Sequence, residues 1–194
     1  GGLGLLSSRL LVEGPIAEDK ASFMLAGRRS YADIFLGLSN DPTIAQNTLY
    51  FYDFNAKVNY KISDKDRVFL SGYFGRDVFE LDDLFGFNWG NATGTLRWNH
   101  LFSEQLFSNF SFVFSDYTYN LGTPDDEEFN FNLRSTIQDY HFKNHYSYYL
   151  SDRSQIEFGV EGIYYRFKPG TITGVVDLTL QREYALEPSL YFSH

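Results

Sequence analysis

The sequence has 194 residues, a net charge of −9 and no cysteine, and 19% of its residues are aromatic. The lack of cysteine excludes disulfides and thiolate metal sites, and the acidic charge argues against nucleic-acid binding, which needs a basic stripe at the phosphates. No run of roughly 18 apolar residues occurs, which excludes a membrane-spanning helix, whereas the aromatic content favours β-strands.

Alternation of apolar and polar residues at period two predicts eight whole strands and a partial ninth. In chain order the whole strands lie at about residues 5–13, 21–29, 50–62, 67–77, 90–102, 106–119, 129–150 and 155–168, and the partial strand covers 179–194. A short helix is predicted at 31–36, between the second and third strands.

The strand at 50–62 shows the alternation most clearly. Its apolar side carries Tyr52, Phe54, Ala56, Val58, Tyr60 and Ile62, and its polar side carries Asp53, Asn55, Lys57, Asn59 and Lys61. A strand this regular is expected to lie between two surroundings of opposite polarity. The polar side carries amides and lysines as well as an acid, which favours a water-filled interior, although a soluble antiparallel sandwich stays an alternative.

The predicted connections alternate between short and long. The short ones lie near 14–20, 63–66, 103–105 and 151–154, and the long ones near 30–49, 79–87, 123–128 and 169–176. Outer-membrane barrels place short turns on the periplasmic side and long loops outside. Thirteen residues from Tyr50 onward, at roughly 3.3 Å each and tilted by roughly 40°, reach about 33 Å, which exceeds an apolar band of roughly 25 Å. The sequence therefore predicts an all-β, antiparallel transmembrane β-barrel segment that projects beyond the membrane on its loop side.

Short motifs spread along the chain carry a family resemblance. They are, in order, Gly4–Leu10, Val12–Ile16, Asp19–Phe23, Gly27–Asp33, Tyr50–Asp53, Asn55–Lys57, Leu70–Tyr73, Gly75–Asp77, Phe87–Asn91, Arg97–Asn99 and Arg166–Gly170. In these motifs the sequence resembles the first barrel strands of TonB-dependent outer-membrane receptors, over essentially its whole length.

The resemblance implies a barrel of about 22 strands, an N-terminal plug domain in its lumen, and a short N-terminal box that contacts the TonB complex. Residues 1–194 would then supply eight or nine strands, with the plug before them and the remaining strands after them. The implied location is the Gram-negative outer membrane. The implied partners are the plug, the other strands, outer-membrane lipid, the TonB complex and a small-molecule or glycan ligand, and neither a cofactor nor an enzymatic activity is expected.

Polar residues of alternating strands are expected to face the lumen and the plug. These residues are Arg9, Asp53, Asn55, Lys57, Asn59, Lys61, Arg97, Glu157 and Glu161. Arg28 and Arg29 are adjacent in a strand and must point to opposite faces, so one of them is expected to face the lumen. A structural ion pair is the favoured role of that arginine, and contact with an anionic ligand is the alternative.

Aromatic residues suggest two further roles. Phe85, Phe87 and Trp89 fall in a predicted loop and are the candidate ligand contacts, by stacking on a carbohydrate, although loop aromatics also pack to close loops. Tyrosine and tryptophan on the apolar sides of the strands fit the girdles at the two membrane surfaces. These girdle candidates are Tyr52, Tyr60, Trp98, Tyr148 and Tyr164.

Other chemistry has little support in the sequence. His141 and His145 would lie about 13 Å apart along one strand, too far to share a metal ion. The acidic clusters at 80–83 and 125–128 match no calcium-loop spacing and are expected to be solvated. Asp139 and His141 share a strand face but lack a nucleophile, so catalysis is not expected.

The sequence thus predicts part of a receptor that takes up a scarce nutrient such as a siderophore, cobalamin or an oligosaccharide. A structural or adhesive outer-membrane barrel without transport activity is the alternative.

Overall fold

The computed structural model describes residues 1–81, 84–123, 131–174 and 177–194. In these ranges the chain forms eleven strands and two short helices. The strands are β1 (Gly2–Leu3), β2 (Ser7–Ala17), β3 (Ala21–Ser30), β4 (Thr48–Lys61), β5 (Asp66–Leu81), β6 (Phe85–Leu101), β7 (Leu106–Gly122), β8 (Phe131–Ser151), β9 (Ser154–Gly174), β10 (Leu178–Thr179) and β11 (Glu183–Ser193). The helices are α1 (Ala32–Leu36) and α2 (Pro42–Ala45), both between β3 and β4.

All strands belong to one antiparallel sheet in which chain neighbours pair from β1 to β9. The far edge of β9 pairs first with β11 and then, closer to its C-terminal end, with β10. The first and last strands do not pair with each other, so the sheet formed by the described residues is open. The all-β antiparallel prediction is confirmed, and the alternative of two packed sheets is not what these residues form.

The nine long strands, β2 to β9 and β11, match the predicted strands in order, but β2 continues to Ala17 and β9 to Gly174, into the predicted connections 14–20 and 169–176. The predicted loop at 79–87 is wrong, because β5 continues to Leu81 and β6 begins at Phe85. Aromatic residues favour strands, and here Phe79 pairs directly with Phe87. Asp82, Asp83 and the predicted acidic loop at 125–128 lie outside the described residues.

Connections define two ends of the sheet. The turn end carries the connections 18–20, 62–65, 102–105 and 152–153, and the loop end carries 4–6, 31–47 and the C-terminal ends of β5, β7 and β9. At the turn end, Asp19 takes a φ of 56°, a left-handed conformation that aspartate tolerates better than most residues. Ser63 accepts a hydrogen bond from the Lys65 amide and donates one to Asp66, which tightens the turn between β4 and β5.

Both helices lie in the connection 31–47. The predicted helix at 31–36 is confirmed as α1. The second helix, α2, was not predicted; it begins with Asp41 as N-cap and Pro42 at the first helical position. The Asp41 side chain accepts a hydrogen bond from the Thr43 amide at 3.0 Å, the usual capping arrangement. The pair Asp41-Pro42 was the signal that could have found this helix.

The sheet has almost no hydrophobic core. Among the described residues, Val78 is the one hydrophobic side chain that is buried. A soluble domain of this size would bury many more apolar side chains. The described residues are therefore held together by pairing between strands. Most of their apolar side chains stay at least partly exposed on the surface of the sheet.

Candidate functional site

The sheet has one apolar and one polar face. Residues that pair across neighbouring strands share a face, so the register carries the two sides of β4 across the whole sheet. We call the side with Phe54 and Val58 the apolar face, and the side with Asp53 and Lys57 the polar face. The predicted alternation is confirmed.

Three adjacent rows of paired residues cross the apolar face without a charged side chain, and we call them the uncharged rows. The first is Val12, Leu25, Ala56, Gly72, Gly94, Phe114, Tyr140, Tyr164 and Leu186. The second is Gly14, Phe23, Val58, Leu70, Leu96, Phe112, Phe142, Gly162 and Pro188. The third is Ala17, Ala21, Tyr60, Val68, Trp98, Phe110, Asn144, Val160 and Leu190.

Large side chains of these rows are exposed. Leu70 is 58% exposed and Leu190 84% exposed. Soluble monomers seldom expose a continuous apolar surface of more than a few hundred Å². The apolar face is therefore a surface that needs a non-aqueous surrounding.

The polar face collects all nine residues that were predicted to share a lumen side. They are Arg9, Asp53, Asn55, Lys57, Asn59, Lys61, Arg97, Glu157 and Glu161. A hollow of about 640 Å³ opens on this face and is lined by side chains of β2 to β6, including Lys57, Asn59 and Arg97. The register thus groups these residues, and their contact with a lumen or a plug stays a prediction.

Arg28 and Arg29 point to opposite faces, as predicted. Arg28 lies on the polar face, where its Nη2 is 2.6 Å from Asp53 Oδ2. Arg9 of β2 pairs directly with Arg28. Arg29 lies on the other face and pairs with Asp33 of α1 at 3.1 Å. The Arg28 ion pair is half exposed, so it aligns the side chains more than it stabilises the fold.

A second polar group joins β8, β9 and β11 on the polar face. His141 Nε2 lies 2.6 Å from Glu161 Oε1, and Lys143 Nζ lies 3.6 Å from the other oxygen of Glu161. His145 Nδ1 lies 2.5 Å from the Tyr191 hydroxyl. The two histidines thus contact different partners and do not share a ligand position.

The polar face becomes aromatic at the loop end. Phe85, Phe87 and Trp89 lie in β6, not in a loop, and they form an aromatic cluster with Phe79 of β5 and Tyr119 of β7. The Phe87 and Trp89 rings stack with centroids 4.8 Å apart, and Phe79 and Tyr119 approach Phe87 at 5.8 and 6.1 Å. Such a cluster can stack against a flat apolar or carbohydrate surface.

Polar groups border the apolar face at the turn end. The Trp98 indole N–H donates to Asp66 Oδ1 at 3.0 Å, and His100 Nδ1 lies 2.6 Å from the same oxygen. Trp98 therefore presents its ring to the uncharged rows and its N–H to a polar group. This is the amphipathic placement expected of a girdle residue.

Neither a metal-binding cluster nor a membrane-spanning helix occurs in the described ranges. Within residues 1–81, 84–123, 131–174 and 177–194, no group of three or more His, Cys, Asp or Glu side chains is placed to hold a metal ion. In the same ranges, no helix has the length and apolar character needed to cross a membrane.

Comparisons with known proteins support the fold. No protein-family model matches the sequence, and no curated protein sequence matches it. Among solved structures, the chain is similar to BauA, the ferric preacinetobactin receptor from Acinetobacter baumannii, with a TM-score of 0.59 and 10% identical residues. The alignment covers 96% of this chain and 37% of the BauA chain. At this identity the similarity shows that the sheet shares its fold with about a third of a larger receptor.

Proposed function

We propose that this chain forms part of the barrel wall of an outer-membrane, TonB-dependent receptor that imports a scarce nutrient. The three uncharged rows are the observation that carries the proposal. They run from β2 to β11 on a sheet that buries a single hydrophobic side chain among the described residues. Lipid is the surrounding that suits a continuous apolar face backed by a polar one, because strands of membrane barrels alternate in this way.

The dimensions agree with a membrane band. On β4 and just beyond it, the apolar positions run from Phe54 to Ile62, about 27 Å along the strand at roughly 3.4 Å per residue. A tilt of roughly 40° reduces this to about 21 Å of height, close to the roughly 25 Å apolar band of outer-membrane barrels. β8 and β9 have 21 residues each and would rise well beyond that band at the loop end.

Closure of the sheet requires further strands. β1 covers the outer edge of β2 only at Ser8 and Arg9, and no described strand pairs with the outer edge of β11. In lipid each unpaired backbone group costs several kcal/mol. A barrel of about 22 strands, as the family resemblance implies, would satisfy both edges. The polar face would then surround a plug domain, and the TonB complex would move that plug.

A ferric siderophore is the cargo class with the most support. BauA, whose fold this sheet shares, is a receptor for ferric preacinetobactin. The aromatic cluster at the loop end of the polar face would meet such a ligand as it enters from outside. Its stacked Phe87 and Trp89 rings offer a flat surface for an organic chelator.

The proposal predicts a defined loss in the variant Trp89→Ala. Full-length receptor in outer-membrane vesicles should bind its ferric chelate about fivefold more weakly, because a lost aromatic stack costs about 1 kcal/mol. The matched control is Trp98→Ala, which removes the other tryptophan from the apolar face and should leave affinity unchanged. Binding of a panel of radiolabelled ferric chelates measures both.

Uptake separates a transporter from a structural barrel. Cells that make the full-length protein should accumulate one of the chelates, and cells that lack the TonB complex should bind it without accumulating it. Membrane insertion without binding or uptake of any chelate in the panel would favour the structural or adhesive alternative. Recovery of the folded protein in aqueous buffer without detergent would overturn the membrane assignment itself.

A further inference from the structure

A group of cations lies on the apolar face at its loop-end border. Along β9 the apolar-face residues are Ile156, Phe158, Val160, Gly162 and Tyr164, and the next two are Arg166 and Lys168. The apolar-face side of β9 thus changes from apolar to basic between Tyr164 and Arg166. Arg182, between β10 and β11, lies beside them, and the three cations line one hollow of about 380 Å³ together with Thr136, Gln138 and Phe167.

Among the described residues, the three cations have no acidic partner. None of them forms an ion pair within the described residues, where the ion pairs involve other side chains. Two carboxylates lie in neighbouring positions. Glu183 follows Arg182 and pairs with Phe167, on the opposite face from Arg166. Asp116 pairs with Gln138 and accepts a hydrogen bond from its Nε2 at 2.5 Å. Asp116 is separated from Arg166 by the β8 strand, so the described residues that line the hollow carry positive charge only.

Tyrosines lie below and beside the cations. Tyr140 of β8 pairs with Tyr164 of β9 in the row below Arg166, and Tyr184 of β11 pairs with Arg166 itself. The Tyr164 ring lies between the other two, with ring centroids 6.4 Å from Tyr140 and 6.2 Å from Tyr184. Tyrosine at the border of an apolar face is typical of the headgroup level of a membrane. The cations are therefore placed at and just above the level at which lipid chains end.

We propose that Arg166, Lys168 and Arg182 bind the phosphate group of an outer-leaflet lipid. This inference rests on the proposed membrane function. Arginine binds phosphate oxygens through a planar fork of N–H groups, and Thr136 and Gln138 add neutral polar groups to the hollow. Continuity with the uncharged rows favours a lipid over a free anion, because the acyl chains of a bound lipid would cover Phe142 and Val160 below.

The test uses the full-length receptor purified in a neutral detergent. Binding is measured with lipid A that carries its phosphates, with dephosphorylated lipid A, and with inorganic phosphate. The basic-patch variant is Arg166→Gln, Lys168→Gln and Arg182→Gln together. The matched control removes three cations from the polar face, with Lys57→Gln, Lys61→Gln and Arg97→Gln.

The basic-patch variant should bind phosphorylated lipid A about 100-fold more weakly at low salt, since each cation near a lipid surface contributes about a factor of five. Dephosphorylated lipid A should bind weakly to every variant, and the control variant should bind like the original protein. Equal lipid binding by the basic-patch variant would overturn the inference. Inorganic phosphate that binds as tightly as the lipid and depends on the same three cations would also overturn it, because the hollow would then be a free-anion site.

These outcomes are distinct from failure of the proposed function. A receptor that inserts into membranes and takes up its chelate, but whose lipid binding does not depend on the three cations, disproves only this inference. A protein that does not insert into membranes disproves both.

Discussion

Replacing Val58 by arginine should destabilise the folded receptor in a lipid bilayer by about 2 to 4 kcal/mol. Val58 lies in the middle uncharged row between Phe23 and Leu70, and it is 39% exposed. An arginine there would hold its charge among lipid chains, far from either headgroup level. Urea unfolding of the full-length protein, refolded into lipid vesicles, measures the loss.

The neighbouring change Asn59→Arg is the matched control. Asn59 lies on the polar face, where its amide donates a hydrogen bond to the Ser22 hydroxyl. An arginine at this position stays in a polar surrounding and loses one hydrogen bond, so the cost should be about 1 kcal/mol. Equal losses at positions 58 and 59 would mean that the two faces do not meet different surroundings.

Replacing Gly159 by alanine should destabilise the sheet by about 1 to 3 kcal/mol. An added Cβ would lie 2.5 Å from the backbone oxygen of Asn144 and 2.5 Å from the Tyr191 hydroxyl. The backbone oxygen can move only if β8 and β9 separate locally. The contact between Tyr191 and His145 would be lost as well. Unfolding in the same vesicles measures this change.

Gly162, three residues along the same strand, is the control for that prediction. A Cβ at Gly162 would meet no heavy atom within 4 Å. Because glycine in a strand interior is weakly destabilising, Gly162→Ala should be neutral or should stabilise the protein by up to about 1 kcal/mol. A loss at Gly162 as large as that at Gly159 would show that glycine is needed in β9 for another reason than space.

The strands and their two faces were predictable because period-two alternation is a local property of the sequence. Glu157 and Glu161 alternate with Phe158 and Val160, and no knowledge of their neighbours is needed to assign them to one side. The strand ends were harder to predict. Acidic residues near 80–83 suggested a loop, whereas pairing of Phe79 with Phe87 extends both strands past that point.

Contacts between distant residues could not be predicted, because they depend on the register. Arg28 and Asp53 are 25 positions apart, and they meet only because β3 and β4 pair with one particular offset. The same holds for Arg182, which reaches Arg166 and Lys168 through the pairing of β11 with β9. A shift of one residue in either pairing would place these side chains on opposite faces.

The two tryptophans lie on opposite faces of the sheet, so their fluorescence can show which face contacts lipid. Trp89 belongs to the aromatic cluster of the polar face, whereas Trp98 lies in the third uncharged row. The two tryptophans are an odd number of positions apart along β6. Because successive residues of a strand point to opposite faces, their side chains must lie on opposite sides of the sheet. Fluorescence from Trp98 should fall when bromine atoms are attached to the lipid tails, while Trp89 should respond instead to water-soluble quenchers. Variants that keep a single tryptophan would then show, without an added label, which face of the sheet contacts lipid and which contacts water.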